Sequence, residues 1–171
     1  AQEVPPGVEL TVAAIENDTL PKLKAVVEAV SATARVPVAH VLEPELGIPF
    51  ARTRCGRHAA QTGADFALYV DDDEEARPGW LAAFVEATRR YEADVYYGRV
   101  IPVYPEGTPA WMVKPDVNKR PTGTRLKKAE GHNTLVATRV FRTVEEGGMG
   151  LSFDGTLRFS GGSWVTSSPS K

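Results

Sequence analysis

Five consecutive carboxylates, Asp71-Asp72-Asp73-Glu74-Glu75, stand directly after the apolar run Phe66 to Val70. Like charges so crowded repel: at ~6 Å and an effective dielectric of ~20, each pair costs about 3 kcal/mol. Such a cluster calls for a cation. On an extended backbone alternate side chains share a face, so Asp71 and Asp73 can point into one pocket while Asp72 points away or towards a ligand hydroxyl. Hard oxygen ligands favour Mg²⁺ or Mn²⁺, which keep coordination positions open for phosphate oxygens. A metal bound there would neutralise a leaving diphosphate by Lewis-acid action. The plainer reading of the same run is a solvated turn, with carboxylates that favour the N-terminus of the helix opened by Pro78. Glu74 and Glu75 suit that role.

The elements that must position this cluster follow from periodicity. Val8 to Ile15 reads as a buried strand that ends in the polar Glu16-Asn17-Asp18-Thr19. Thr19 and Pro21 then open a helix with Leu20, Leu23, Val26, Val27 and Val30 at helical spacing, which predicts packing on a sheet. Val36 to Leu42 reads as a second strand, Gly47-Ile48-Pro49 as a turn, and Phe50 to Thr62 as a helix carrying Arg52, Arg54 and Arg57. Phe66 to Val70 is a third strand, and Trp80, Leu81, Phe84, Val85 and Thr88 mark one face of the helix after Pro78. Val95 to Val103 reads as a fourth strand. Strands alternating with helices imply an α/β fold, a mostly parallel sheet with helices on both faces, where ligands sit beyond the carboxyl ends of the strands. Both acidic clusters, at residues 16–18 and 71–75, fall there. Tyr104 to Gly131 is rich in Pro, Gly and Lys without a period, and so long a connection predicts a functional loop.

With 171 residues, 42% hydrophobic and 25% charged, the chain has room for one domain with a sizeable core. A net charge of −2 gives no reason to expect nucleic acid or an anionic membrane as partner. The lone Cys55 forms no internal disulfide, no signal peptide is visible, and no apolar run reaches the roughly 18–20 residues that span a bilayer, so a cytoplasmic setting is expected.

Gly63 to Glu74 followed by Pro78-Gly79-Trp80-Leu81 resembles the strand, DxD motif and following helix of family 2 glycosyltransferases, which have the Rossmann-like GT-A fold. Glu43-Pro44-Glu45-Leu46-Gly47-Ile48-Pro49-Phe50-Ala51-Arg52-Thr53-Arg54 is similar to that family's E-P-x-x-G-x-x-x-A-R-N-R segment, with Thr53 in place of Asn. Glu16-Asn17-Asp18 occupies the place of its D-N-D, which contacts the nucleotide base. Gly98 to Tyr104, Gly107 to Trp111, Arg120 to Thr124 and His132 to Val136 resemble the acceptor-side region of the succinoglycan-type branch, which builds bacterial exopolysaccharides.

The resemblance implies metal binding by Asp73 and, with the ribose as the alternative, by Asp71. It places Asp72 on metal or ribose, Glu16, Asn17 and Asp18 near the base, and Arg52 and Arg54 near the diphosphate. For each arginine the alternative is an exposed helix position. Tyr104 and Trp111 would stack on an acceptor sugar, or pack in the core, and Asn133 would lie on the acceptor side. The implied partners are a nucleotide-diphospho-sugar donor, a saccharide or lipid-linked glycan acceptor and Mg²⁺ or Mn²⁺, at the inner face of the cell membrane through peripheral association.

Two departures carry weight. The family's first strand, with its Pro-Thr loop, has no counterpart before Val8, so the chain is expected to be a single partial domain. Residues 8–103 would form the nucleotide-sugar half, 104–162 the acceptor half and 163–171 an atypical tail. Phe153 to Gly162 matches the approach to the family's G-G-x-D motif, whose acid is the catalytic base, but Ser163 and Trp164 stand in its place. Neither takes a proton from an acceptor hydroxyl, so weak or absent transfer is expected. His40, His58 and His132 share no ligand spacing and read as structural, Cys55 reads as packing, and Gly147-Gly148-Met149-Gly150 reads as a turn rather than a phosphate loop. A receiver-like phosphotransfer domain would need a separate aspartate strand and later Thr and Lys strand ends, which the chain lacks.

Overall fold

The structure is a computed structural model that describes residues 2–113, 120–126, 129, 131–150 and 152–153. Its first unit is β1 (Val12–Glu16), α1 (Lys24–Ser31) and β2 (Val38–Leu42), a parallel pair joined through a helix. Val12 lies opposite Val38 and Glu16 opposite Leu42. Next come α2 (Ile48–Gln61), β3 (Phe66–Tyr69), α3 (Trp80–Arg90), β4 (Val95–Tyr97) and β5 (Thr134–Ala137), the last running into a 3₁₀ turn at Thr138–Val140. Strand β5 inserts between β3 and β4 and is antiparallel to both, with Tyr69 and Tyr97 each opposite Thr134.

The α/β character and the parallel pairing at the N-terminal end follow the sequence expectation. The refinement is that the strands form two sheets, β1–β2 and β3–β5–β4, with α2 packed against both β1 and β3. In β3 the period-two rule holds, since Ala67 and Tyr69 are buried and their neighbours less so. All four residues of β5 are buried, as befits a strand paired on both sides.

The core lies between this second sheet and α2. Ala67, Tyr69, Val136, Ala137, Val140, Phe141 and Phe153 form it, with Cys55 and Ala59 of α2 packed against them. Phe153 stacks on Phe141 and meets Tyr69 edge-on, at ring centroid distances of 6.4 and 5.9 Å. Gly56 is the point of closest approach: a Cβ there would lie 2.6 Å from the Phe141 ring. Burial pushes the Cys55 thiol up to about 11, which suits a packing residue and not a nucleophile.

Two expectations need correction. Of the α1 stripe only Val27 is buried, whereas Leu20, Leu23, Val26 and Val30 are exposed, because a sheet two strands wide cannot cover a whole helical face. The fourth strand stops at Tyr97 and does not reach Val103: the Gly98 amide makes a last in-register bond to the carbonyl of Asn133, whose positive φ of 47° ends the extended run of the partner strand. Among the described residues no helix is long and apolar enough to cross a membrane.

Candidate functional site

The polar ends of β1 and β3 are tied together through the first half of α2. Asn17, just past β1, donates its side-chain amide to the carbonyls of Glu43 and Glu45 at 3.0 and 2.7 Å. Its Oδ1 accepts the Gly47 amide at 2.7 Å. That bracket fixes the loop leading into α2, where Gly47 has the positive φ of 139° that favours glycine and Pro49 occupies the first turn. One turn on, Arg52 donates through Nη2 to Asp71, at the carboxyl end of β3, and its own carbonyl accepts the Tyr69 hydroxyl at 3.0 Å. The resemblance had put Asn17, Arg52 and Asp71 in one site, and the structure links all three through α2.

Glu16 has a different employment. It is 7% exposed, and its carboxylate accepts the amides of Lys22 and Leu23 and meets His40 Nε2 at 2.6 Å. It therefore satisfies amides at the entrance of α1, a position where helix N–H groups lack partners. Burial would raise its pKa, but the bonds from His40, Leu23 and Lys22 outweigh burial and hold the carboxyl below its ordinary value. Asp18 pairs with Lys22 at 2.6 Å, and this bond lowers the aspartate's pKa and raises the lysine's. Arg54 lies half-buried on α2 with its Nε making no hydrogen bond.

The acidic run folds as a closed turn. The Glu74 amide donates to the Asp71 carbonyl and the Asp71 amide donates to Glu74 Oε2, both at 3.1 Å. Glu74 Oε1 lies 2.6 Å from His132 Nδ1. Glu74 is thus engaged within the turn and with His132, and α3 has no acid in its first turn. Its Leu81 amide is accepted instead by the side chain of Gln2. Asp72 and Asp73 are exposed, and the Asp71 side chain is 42% exposed.

Among the described residues no three His, Cys, Asp or Glu side chains gather as a metal cage. With Glu74 committed to the turn, the carboxylates of the run that are left are those of Asp71, Asp72, Asp73 and Glu75. Mg²⁺ and Mn²⁺ are commonly held by one or two carboxylates plus substrate phosphates, and these side chains are donors of that hard-oxygen type. A cavity of about 430 Å³ lies between α1 and β2, lined by Lys24, Val27, Glu28, Ser31, Val38 and His40, none of them in the acidic turn.

On the expected acceptor side, Trp111 is 84% exposed, so its indole is presented to solvent and not to the core. Tyr104 is half-buried. Asn133 is 8% exposed, in the wall of the fold. Its Oδ1 accepts Trp80 Nε1 at 2.7 Å, its Nδ2 donates to the Arg99 carbonyl at 3.1 Å, and its φ of 47° is one that asparagine tolerates. Ser163 and Trp164, at the expected base position, lie outside the described residues. The Glu74–His132 pair went unread in the sequence because its members are separated by 58 positions and share no spacing rule.

Residues 21–147 match the description of glycosyl transferase family 2. The chain is 32% identical over 112 residues to the succinoglycan biosynthesis protein ExoM of Rhizobium meliloti (strain 1021). The matched stretch covers 66% of this chain and 35% of that relative, so the chain spans about a third of the longer protein. No solved structure matches it.

Proposed function

Because the chain belongs to glycosyl transferase family 2, we propose that it binds a nucleotide-diphospho-sugar together with Mg²⁺ or Mn²⁺ at the turn Asp71–Asp73, as the donor side of an inverting sugar transfer in bacterial polysaccharide assembly. Membership brings the GT-A fold, with which the parallel β1–β2 pair and its helices agree. The single observation that carries the donor assignment is the Arg52–Asp71 contact, a cation and an acid on neighbouring elements at the carboxyl end of a core strand. The metal would supply Lewis-acid stabilisation of the departing diphosphate. Asp71 and Asp73 would hold it, and Arg52 would meet phosphate oxygens once Asp71 turns to the cation. Asn17 keeps the 43–47 loop in place beside this site, and Trp111 offers a ring face to a saccharide or lipid-linked glycan acceptor.

A second reading, binding without turnover, is favoured by Ser163 and Trp164, which stand where the resemblance expects the acid that deprotonates the acceptor. Titration of UDP or GDP in the presence of Mn²⁺, with the natural chain and with Asp73→Ala, tests the donor site: loss of affinity in the variant is expected, and equal affinity would refute it. Turnover of a nucleotide sugar by the purified chain separates the two readings, since release of nucleoside diphosphate at enzymatic rates would eliminate the second.

A further inference from the structure

The acidic turn has no regular structure to hold its shape, yet both backbone polar groups of Asp71 are tied to one residue. Glu74 takes the Asp71 carbonyl with its amide and the Asp71 amide with Oε2. The direction of the Asp71 and Asp73 side chains therefore depends on where the Glu74 carboxylate is kept. A glutamate side chain alone has too many rotamers to keep a turn in place. What stops it from swinging out is the contact of its second oxygen, Oε1, with His132 Nδ1.

His132 itself is well anchored. It immediately precedes Asn133 and β5, where Thr134 and Val136 are 0% exposed between two partner strands. The Thr134 hydroxyl donates to the His132 carbonyl at 2.9 Å, and the imidazole meets the Tyr97 ring edge-on at a centroid distance of 6.4 Å. A rigid strand thus holds an imidazole, the imidazole holds a carboxylate, and the carboxylate holds the backbone of the first aspartate.

We propose that His132 is a positioning residue for the donor site, acting through Glu74 to set the geometry of the Asp71–Asp73 carboxylates; this rests on the donor-site assignment above. With Oε1 facing Nδ1, the ring nitrogen donates and the carboxylate accepts. Each glutamate oxygen is then an acceptor. Glu74→Ala removes both contacts at once, whereas a glutamine there keeps both: its oxygen accepts the Asp71 amide and its NH2 donates to an imidazole that carries its proton on Nε2.

The test is a titration of UDP in the presence of Mn²⁺ with the full chain, following bound Mn²⁺ by its electron paramagnetic resonance signal and the fold by thermal melting. His132→Ala is expected to weaken binding about tenfold. His132→Asn, whose amide N–H can reach the place of Nδ1, is expected to restore most of it, a rescue that mere packing would not give. His132→Ala combined with Glu74→Ala is expected to be no worse than Glu74→Ala alone, because the imidazole acts through this carboxylate. Should His132→Ala fail to fold, Glu74→Ala is judged by the same tenfold criterion. Asp73→Ala separates the two levels. If it abolishes binding while folded His132→Ala and Glu74→Ala bind as the natural chain does, the positioning role is overturned and the donor site stands. If Asp73→Ala binds normally, the donor site falls and the positioning role with it.

Discussion

Arg52 donates from one nitrogen, Nη2, to both carboxylate oxygens of Asp71, at 3.1 and 3.3 Å. A single-nitrogen contact to a 42% exposed side chain is not the fork-on-fork geometry that makes such pairs strong, and its worth is about 1 kcal/mol or less. It is strong enough to neutralise the acid in the absence of a cation and weak enough to be exchanged. Arg52→Ala should therefore act in opposite senses on two ligands. Mn²⁺ alone should bind as well as before or up to about fivefold tighter, because a competitor for Asp71 is gone. UDP in the presence of Mn²⁺ should bind about tenfold more weakly, because a phosphate partner is gone. Calorimetric titration of each ligand reads the two effects separately, and loss of both together would mean that Arg52 only supports the fold.

Gly131 gives an independent route to the same arginine. A Cβ at this position would run into the Arg52 guanidinium, the far end of a flexible side chain. Gly131→Ala should push the guanidinium off Asp71 at little cost to the fold. The expected result is a melting temperature close to that of the natural chain with weakened UDP·Mn²⁺ binding, a copy of Arg52→Ala without any change of charge. Unaltered binding would place the guanidinium elsewhere in solution.

Asn133→Ala separates a wall residue from an acceptor contact. The substitution leaves Trp80 Nε1 without its acceptor and the Arg99 carbonyl without its donor, and it puts alanine at a positive φ. A loss of about 2 kcal/mol in urea unfolding is expected, with a change in tryptophan fluorescence. Asn133→Asp retains the acceptor for Trp80 and the tolerance for positive φ but turns a carboxylate oxygen onto the Arg99 carbonyl in a buried place, so it should be at least as destabilising near neutral pH. Unchanged stability in Asn133→Ala would return this residue to the ligand-contacting set.

What was legible in the sequence follows from the range of the signals. The strands and helices from Val12 to Arg90 could be read because each is announced locally, by an apolar run, a proline at a first turn or a glycine at a loop. The central strand β5 was not read as a strand. Its Leu135-Val136-Ala137 run is short, and its partners β3 and β4 lie far back in the chain. The exposed stripe on α1 could not be foreseen either, because periodicity reports a face and not the width of the sheet beneath it. At the site, Asp71 and Arg52 were named from motif spacing, but the tasks of Glu16, Glu74 and Asn133 are set by tertiary partners such as His40, His132 and Trp80.

The Glu16 carboxylate makes the fold sensitive to acid. Its pKa is held below the ordinary value, since the bonds from His40, Leu23 and Lys22 outweigh burial. Between the folded and unfolded values the unfolded chain binds more protons, so stability rises with pH there. The contribution is complete above the unfolded glutamate value of about 4.3 and is lost as pH falls through the lower folded value. Asp18 and Glu145 are shifted in the same direction, so the acid limb has more than one source. Glu16→Gln should be less stable than the natural chain near neutral pH, with the difference narrowing as pH falls through the lowered folded value, where the natural carboxyl takes up its proton. Urea unfolding of both proteins across this range measures the gap directly. A gap that stays constant with pH would mean that an ionised Glu16 is not what holds the start of α1.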